Sequence, residues 1–298
     1  MKTVLKFPRN DPFQQLKYNE YLVKLLRETG QDLIMVEENL TARQARELIE
    51  FWKPDGCIVN NDNLPFGLFD AIPTVFTHRD SKTLPGSATL VSYDENAIAA
   101  MAARELLSLN LASYAFVGDQ LDEFWCVERR RGFRAALKLN GKNCATFRSA
   151  PGDSAAKFQS SLADWLRALR KPAGIFAAND SVAVLVANAC GAAGIAIPGD
   201  VSIVGVDNIP QLCENAHVSL SSIEFDLREH ARAVARLLKQ MQSRKRRGAT
   251  PLITLLKPLR LVRRNSTFRF SHSDAKVSAA LDLIRQQSCS GLKARDVF

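Results

Sequence analysis

The chain lacks the short motifs that announce the commonest catalytic chemistries. It has no G-x-x-x-x-G-K-[ST], so the backbone cradle that P-loop proteins offer to nucleotide phosphates is missing. No G-x-G-x-x-G follows a strand pattern, which leaves a dinucleotide site unsupported. H-E-x-x-H and G-x-S-x-G are absent as well, removing the zincin and nucleophile-elbow signatures. Six cysteines (Cys57, Cys126, Cys144, Cys190, Cys213 and Cys289) lie far apart with no C-x-x-C pair, so zinc-ribbon and thioredoxin-type readings fail. Scattered single cysteines fit a reducing, cytoplasmic setting, where they act as small buried hydrophobes. The four histidines, His78, His217, His230 and His272, show no ligand spacing; no metal and no cofactor is expected. No apolar run reaches the roughly 18 residues a membrane span needs. The opening Met1 to Pro8 lacks the apolar core of a secretory leader. The expectation is a binding protein rather than an enzyme, with no membrane association.

What is present is an uneven charge and a strong rhythm. Nine of the 40 basic residues fall between Arg244 and Phe270, a stretch without Asp or Glu, and the other 31 are matched by 31 acidic residues. A local basic stretch is either an electrostatic footprint for nucleic acid or a solvated loop after a helix. Ahead of it, short apolar strands alternate with amphipathic helices. Strands are expected at Val4–Phe7, Leu33–Val36, Gly56–Val59, Thr74–Phe76 and Leu90–Ser92, with helices over Phe13–Glu28, after the capping box at Thr41, and over about 96–109. The pattern restarts with strands at Tyr114–Val117, near Thr146, at Gly174–Ala177, Val201–Val206 and Ser221–Ile223. Helices are expected over Glu128–Leu139, 155–169, Asp180–Ala193 and Asp226–Gln242, before a last strand at Ile253–Leu261.

Such alternation argues for an α/β fold of two doubly wound parallel-sheet lobes, with a ligand cleft at the carboxyl ends of the strands. Lobe one is expected over about 1–110 and 223–251, and lobe two over about 111–222 and 252–264. Residues 265–298 form a polar linker and a short helical fragment, with Val277, Ala280, Leu281 and Ile284 at helical spacing.

Several segments resemble the lactose/galactose repressor family. Pro172-Ala173-Gly174-Ile175-Phe176-Ala177-Ala178-Asn179-Asp180 and Gly194 through Val201-Ser202-Ile203-Val204-Gly205-Val206-Asp207-Asn208 match its motifs in type and spacing, as do Ser221-Ser222-Ile223 and Glu128-Arg129-Arg130-Arg131-Gly132-Phe133. The resemblance implies a type I periplasmic-binding-protein-like fold over residues 1–264. The tail departs from that family. Arg263-Arg264-Asn265-Ser266-Thr267, then Ala279 through Arg285 and Cys289-Ser290-Gly291-Leu292-Lys293, are similar to the opening of an AraC-type DNA-binding domain. A sugar domain followed by such a domain is the arrangement of xylose-responsive regulators. It implies a small sugar effector, xylose or a related pentose, whose binding closes the lobes and controls DNA binding. Operator DNA would be read by the completed C-terminal domain and not by this chain alone, and a homodimer is expected. A transporter's sugar-binding protein is the alternative; the missing leader and the tail weigh against it. An α/β enzyme using Asp180, Asp207 and Arg129 for acid–base work has no nucleophile or metal set to support it.

The resemblance also singles out side chains for the ligand. Asp207 ends a strand, where a carboxylate can accept hydrogen bonds from sugar hydroxyls; Asp-Asn-Ile-Pro is also a turn or cap signal. Asn179 and Asp180 stand between strand and helix, where either can cap, and the resemblance gives at least one to the ligand. Arg129, in the first turn of its expected helix, is disfavoured there by the helix dipole. Its forked donors suit a vicinal diol held against a carboxylate; the alternative is one more solvated arginine beside Arg130, Arg131 and Arg134. Phe13 and Trp125 are either sugar-stacking aromatics or core. Asp94 matches a family aspartate or caps the following helix. Phe225 stands where the family often carries a polar ligand group, so the identity of the sugar does not transfer with the fold.

Overall fold

Strands buried along most of their length lie in the middle of two sheets, and strands only partly buried lie at the edges, as covering both faces of a parallel sheet with helices requires. The computed structural model describes residues 2–8, 12–86, 88–119, 123–148, 152–243 and 252–268, with a few isolated positions beyond; for residues 12–15 it describes the backbone only. In chain order the elements are β1 (Lys2–Phe7), α1 (Pro12–Glu28), β2 (Gln31–Met35), α2 (Ala42–Trp52), β3 (Gly56–Val59), a 3-10 turn (Phe66–Phe69), β4 (Thr74–Thr77), β5 (Thr89–Tyr93), α3 (Glu95–Ser108) and β6 (Ser113–Val117). There follow α4 (Phe124–Leu139), β7 (Cys144–Phe147), α5 (Ala155–Ala168), β8 (Ala173–Ala177), α6 (Asp180–Ala193), β9 (Val201–Val206), α7 (Pro210–Cys213), β10 (Ser221–Glu224), α8 (Leu227–Ser243), β11 (Leu252–Leu256) and β12 (Arg260–Val262).

The first unit, Met1–Asp94 with Phe225–Pro258, holds the sheet β11-β5-β4-β3-β1-β2, parallel throughout. On one face Val4, Ile58, Val75 and Val91 pack under Leu22 and Leu26 of α1 and Val234, Leu237 and Leu238 of α8. On the other, Leu5, Phe7, Val59 and Leu90 pack against Ala45 of α2 and Phe69. The expected capping box at Thr41 is present: its hydroxyl accepts from the Gln44 amide, and the Gln44 side chain accepts from the Thr41 amide.

The second unit, Glu95–Glu224 with Leu259–Phe298, holds the sheet β12-β10-β9-β8-β6-β7, parallel except for the β10–β12 pair. Phe116, Phe133 and Phe176 interlock at its centre, with ring centroids 5.5 and 5.1 Å apart. Gly132 lets α4 approach α3 closely; a Cβ there would sit 2.9 Å from the Ala99 Cβ.

Three expectations change. Helix α4 starts a turn earlier than expected, at Phe124, so Arg129 lies in its second turn, where the dipole penalty has faded. The single last strand becomes two, β11 at the edge of the first sheet and β12 at the edge of the second; Pro258, which has no N–H to give a ladder, falls between them. The unit boundaries shift accordingly. Residues 252–258 go with the first unit because β11 pairs with β5, and α3 goes with the second because it packs on α4. The Arg244–Arg247 cluster lies outside the described residues; of the expected C-terminal helix, Val277, Ala280, Leu281 and Ile284 are described and helical. Among the described residues no helix is long and apolar enough to cross a membrane.

Candidate functional site

In an open doubly wound sheet the crevice opens at the carboxyl ends of the strands, where the strand order reverses. In the second unit that point lies between β6 and β8. Arg129, Asn179 and Asp207 all come to this edge. Arg129 reaches it from α4 and is only 2% exposed. Its Nε donates to the Glu95 carboxylate at 2.6 Å, its Nη1 donates to the Ala178 carbonyl at 2.6 Å, and its guanidinium lies 4.8 Å from the Trp125 ring centroid. It is not a solvated arginine. Trp125 is buried and donates its indole N–H to Glu123 at 2.5 Å; Arg129 covers one ring face, leaving at most the other to a sugar.

Asn179 caps α6: its Oδ1 accepts the Val182 amide at 2.9 Å, which uses none of its Nδ2 hydrogens. Asp180 behaves differently. It is fully buried, and both oxygens are taken by the protein itself: Oδ1 by the Ser222 hydroxyl (2.6 Å), Oδ2 by the Ile209 amide (2.8 Å) and the Cys213 thiol (3.2 Å). Burial pushes its pKa up to about 6 against the pull of those donors and the Arg264 charge. Gly205 on β9 is what makes room for it, since a Cβ there would overlap the Asp180 carboxylate and press on Ala183 at 3.2 Å. Asp180 is therefore a strut beneath the edge rather than a group presented at it.

Asp207 follows β9 with φ 109°, and Asn208 has φ 51°, two consecutive non-glycine residues at positive φ. The turn is held on several sides. The Asp207 amide donates to the Ile223 carbonyl (2.8 Å), the Asn208 amide to the Ser222 hydroxyl (3.0 Å) and the Ile209 amide to Asp180, while the Asn208 Oδ1 accepts from Arg264 (2.8 Å). Half-buried Asp207 is thus placed by an over-determined backbone.

The remaining candidates belong to the first unit. Asp94 follows β5 and its amide donates to the Leu256 carbonyl at 2.8 Å. Phe13 sits in the first turn of α1, its side chain outside the described residues. Phe225 stacks on Tyr93, centroids 3.9 Å apart and 15° from parallel, an aromatic face at the position where the resembling family often carries a polar group.

Sequence reading missed two groups of residues. Glu95, beside Asp94, is the buried partner of Arg129. Lys6, 1% exposed, donates to the Asn19 Oδ1 and lies 5.1 Å from the Tyr18 ring, with His230 packed on Tyr18 and Tyr93. Burial pulls Lys6 down to about 8 and His230 down to about 4. A lysine inside the apolar run Val4-Leu5-Lys6-Phe7 was the available signal.

Residues 103–267 match the family described as periplasmic binding protein-like domain. The xylose operon regulatory protein of Haemophilus influenzae is 29% identical over 212 residues, covering 70% of this chain, and the chain spans about half (54%) of its length. The protein of the same name from Escherichia coli K12 is 28% identical over 275 residues, covering 89% of this chain and 69% of its own. A solved structure of a xylose-binding transcription activator superposes with a TM-score of 0.77 at 23% identity, over 99% of this chain and 77% of the other.

Proposed function

The chain belongs to the periplasmic binding protein-like domain family, and on that premise we propose that it is the sugar-effector domain of a cytoplasmic transcription regulator, its ligand D-xylose or a related pentose. The observation that carries the proposal is Asp207. A carboxylate at the switch-point edge, fixed in a sparsely populated backbone conformation by four separate hydrogen bonds, is organised to accept hydrogen bonds from sugar hydroxyls. Asn179 and Arg129 stand at the same edge, and Asp94, Phe13 and Trp125 are assigned as further contacts. Asp180 holds the edge in shape. Relatives named for the xylose operon, matching 70% and 89% of the chain, support the choice of sugar.

No bond of the sugar is broken in this reading. The sugar favours one conformation of the protein over others, and its differential affinity is the signal. Operator DNA is contacted by a domain that follows, of which residues 265–298 carry the AraC-like beginning, and the regulator acts as a homodimer. Thermal unfolding with a panel of pentoses and hexoses tests the ligand. A sugar at about 100 times its Kd adds about 2.7 kcal/mol to the folded state and raises Tm. The expected result is a rise with D-xylose or a related pentose that Asp207→Asn abolishes, the sugar being recovered unchanged by NMR. A flat response to the whole panel refutes the sugar assignment, and turnover of the sugar refutes the binding-only reading.

A further inference from the structure

Residues 264–267, which follow β12 within the second unit, are bonded to the turn that carries Asp207. Arg264, its side chain 13% exposed, donates from Nη2 to the Asn208 Oδ1 at 2.8 Å and from Nη1 to the Leu220 carbonyl at 3.0 Å. Its own backbone is tied down: the Arg264 amide donates to the Ser221 hydroxyl, which also lies 2.7 Å from the Thr267 hydroxyl. Two residues on, buried Ser266 donates its hydroxyl to the Ile203 carbonyl at 2.6 Å and accepts from the Ser221 amide. Ser222, next in the chain, receives the Asn208 amide and donates to Asp180. One continuous set of hydrogen bonds thus runs from the positive-φ turn at Asp207 and Asn208, through Arg264, to residues 264–267.

We propose that Arg264 is a positioning residue for the ligand: it holds Asn208 in its left-handed conformation, so aims the Asp207 carboxylate, and thereby makes ligand occupancy and the anchoring of residues 264–267 depend on each other. This deepens the sugar-sensing reading and rests on it for the identity of the ligand. Asparagine tolerates the left-handed region better than most residues, yet at a cost that a fixed side-chain partner offsets. A forked guanidinium is suited to the task because it reaches the Asn208 side chain and the Leu220 carbonyl together. Coupling is reciprocal: whatever a ligand gains from a fixed turn, the 264–267 anchor gains from a bound ligand.

The test is a double-substitution cycle on the 298-residue chain, wild type, Arg264→Gln, Asn208→Gly and both together, read by calorimetric titration with D-xylose and by amide hydrogen exchange. Arg264→Gln is expected to weaken xylose about tenfold alone but less than about threefold in the Asn208→Gly background, where the tie is already gone. Exchange of the Asn208 and Ile209 amides is expected to speed about tenfold in Arg264→Gln, and xylose to slow exchange at Ser266 and Thr267 in wild type only. Equal weakening in both backgrounds makes Arg264 a general support of the unit and overturns the proposal. So does unchanged affinity. If wild type takes no sugar, the sugar reading has failed. The exchange result then decides for Arg264 alone: faster exchange upholds its hold on the turn, and unchanged exchange overturns it. Should Arg264→Gln fail to fold, Asn208→Ala breaks the same bond from the other side, with the same tenfold weakening expected and unchanged affinity again overturning the proposal.

Discussion

Replacing Asp180 by asparagine separates a strut from a ligand. The wild-type carboxyl, with no exposed surface, has its pKa raised from 3.8 to about 6, chiefly by burial. A native pKa above the unfolded one means that the folded protein holds the proton more tightly. This favours folding below about pH 4, and the gain is lost as pH rises through about 6. At 1.36 kcal/mol per unit, a shift of about two units is worth about 3 kcal/mol. Asparagine imitates the protonated acid: its oxygen can accept from the Ile209 amide while its NH2 donates to a Ser222 hydroxyl turned to receive it. Wild type and Asp180→Asn are therefore expected within about 1 kcal/mol of each other at pH 4. By pH 7.5 the difference moves in favour of asparagine by about 3 kcal/mol. Urea unfolding at half-unit pH steps measures both, and titrations elsewhere in the chain cancel in the difference. A difference that stays constant across this range, or moves towards wild type as pH rises, refutes the account of Asp180 as a desolvated, internally bonded carboxylate.

Three further outcomes follow from packing and charge. His230, held down to about 4 by burial, charges on unfolding, so stability is lost as pH falls from about 6.5 to about 4, by about 3 kcal/mol at most; His230→Phe should flatten that acid limb in the same urea series. Gly205→Ala forces a methyl into the Asp180 carboxylate and against Ala183, and calorimetry should show more than about 2 kcal/mol of destabilisation, whereas an unaltered Tm would mean that β9 can retreat from α6. Arg129→Leu or Glu95→Leu alone leaves one buried charge without its partner and should cost about 3–5 kcal/mol, while the double Leu variant recovers most of it; additive losses in chemical denaturation would argue against the pair as drawn.

Much of the fold was legible because local chemistry and tertiary structure agree. Mostly apolar, β-branched runs such as Val201–Val206 suit a strand covered on both faces, and the Thr41 and Asn179 caps mark helix starts without any long-range contact. The second unit's candidate residues gather for a topological reason: each lies just after a strand or within the first two turns of the helix that follows one, so the βα rhythm alone brings them to one sheet edge. Asp180 was not, because an aspartate between strand and helix reads alike whether it caps, binds or braces. Its three donors stand 29 to 42 residues away. The run Ile253–Leu261 read as one strand because hydrophobicity carries no information about which sheet a residue joins, and only Pro258 hinted at a break.

By itself, then, the sequence determined the alternation of elements, the two parallel sheets and the edges at which polar residues gather, all consequences of periodicity and backbone preference within some twenty residues. The tertiary structure decided which of those polar residues are occupied by the protein itself. Arg129 with Glu95, Asp180 with Ser222 and Ile209, and Asn208 with Arg264 are 34 to 56 residues apart or, for Ile209, 29. Burial makes each of these pairings matter energetically, and burial is a property of the packed chain that no local pattern contains.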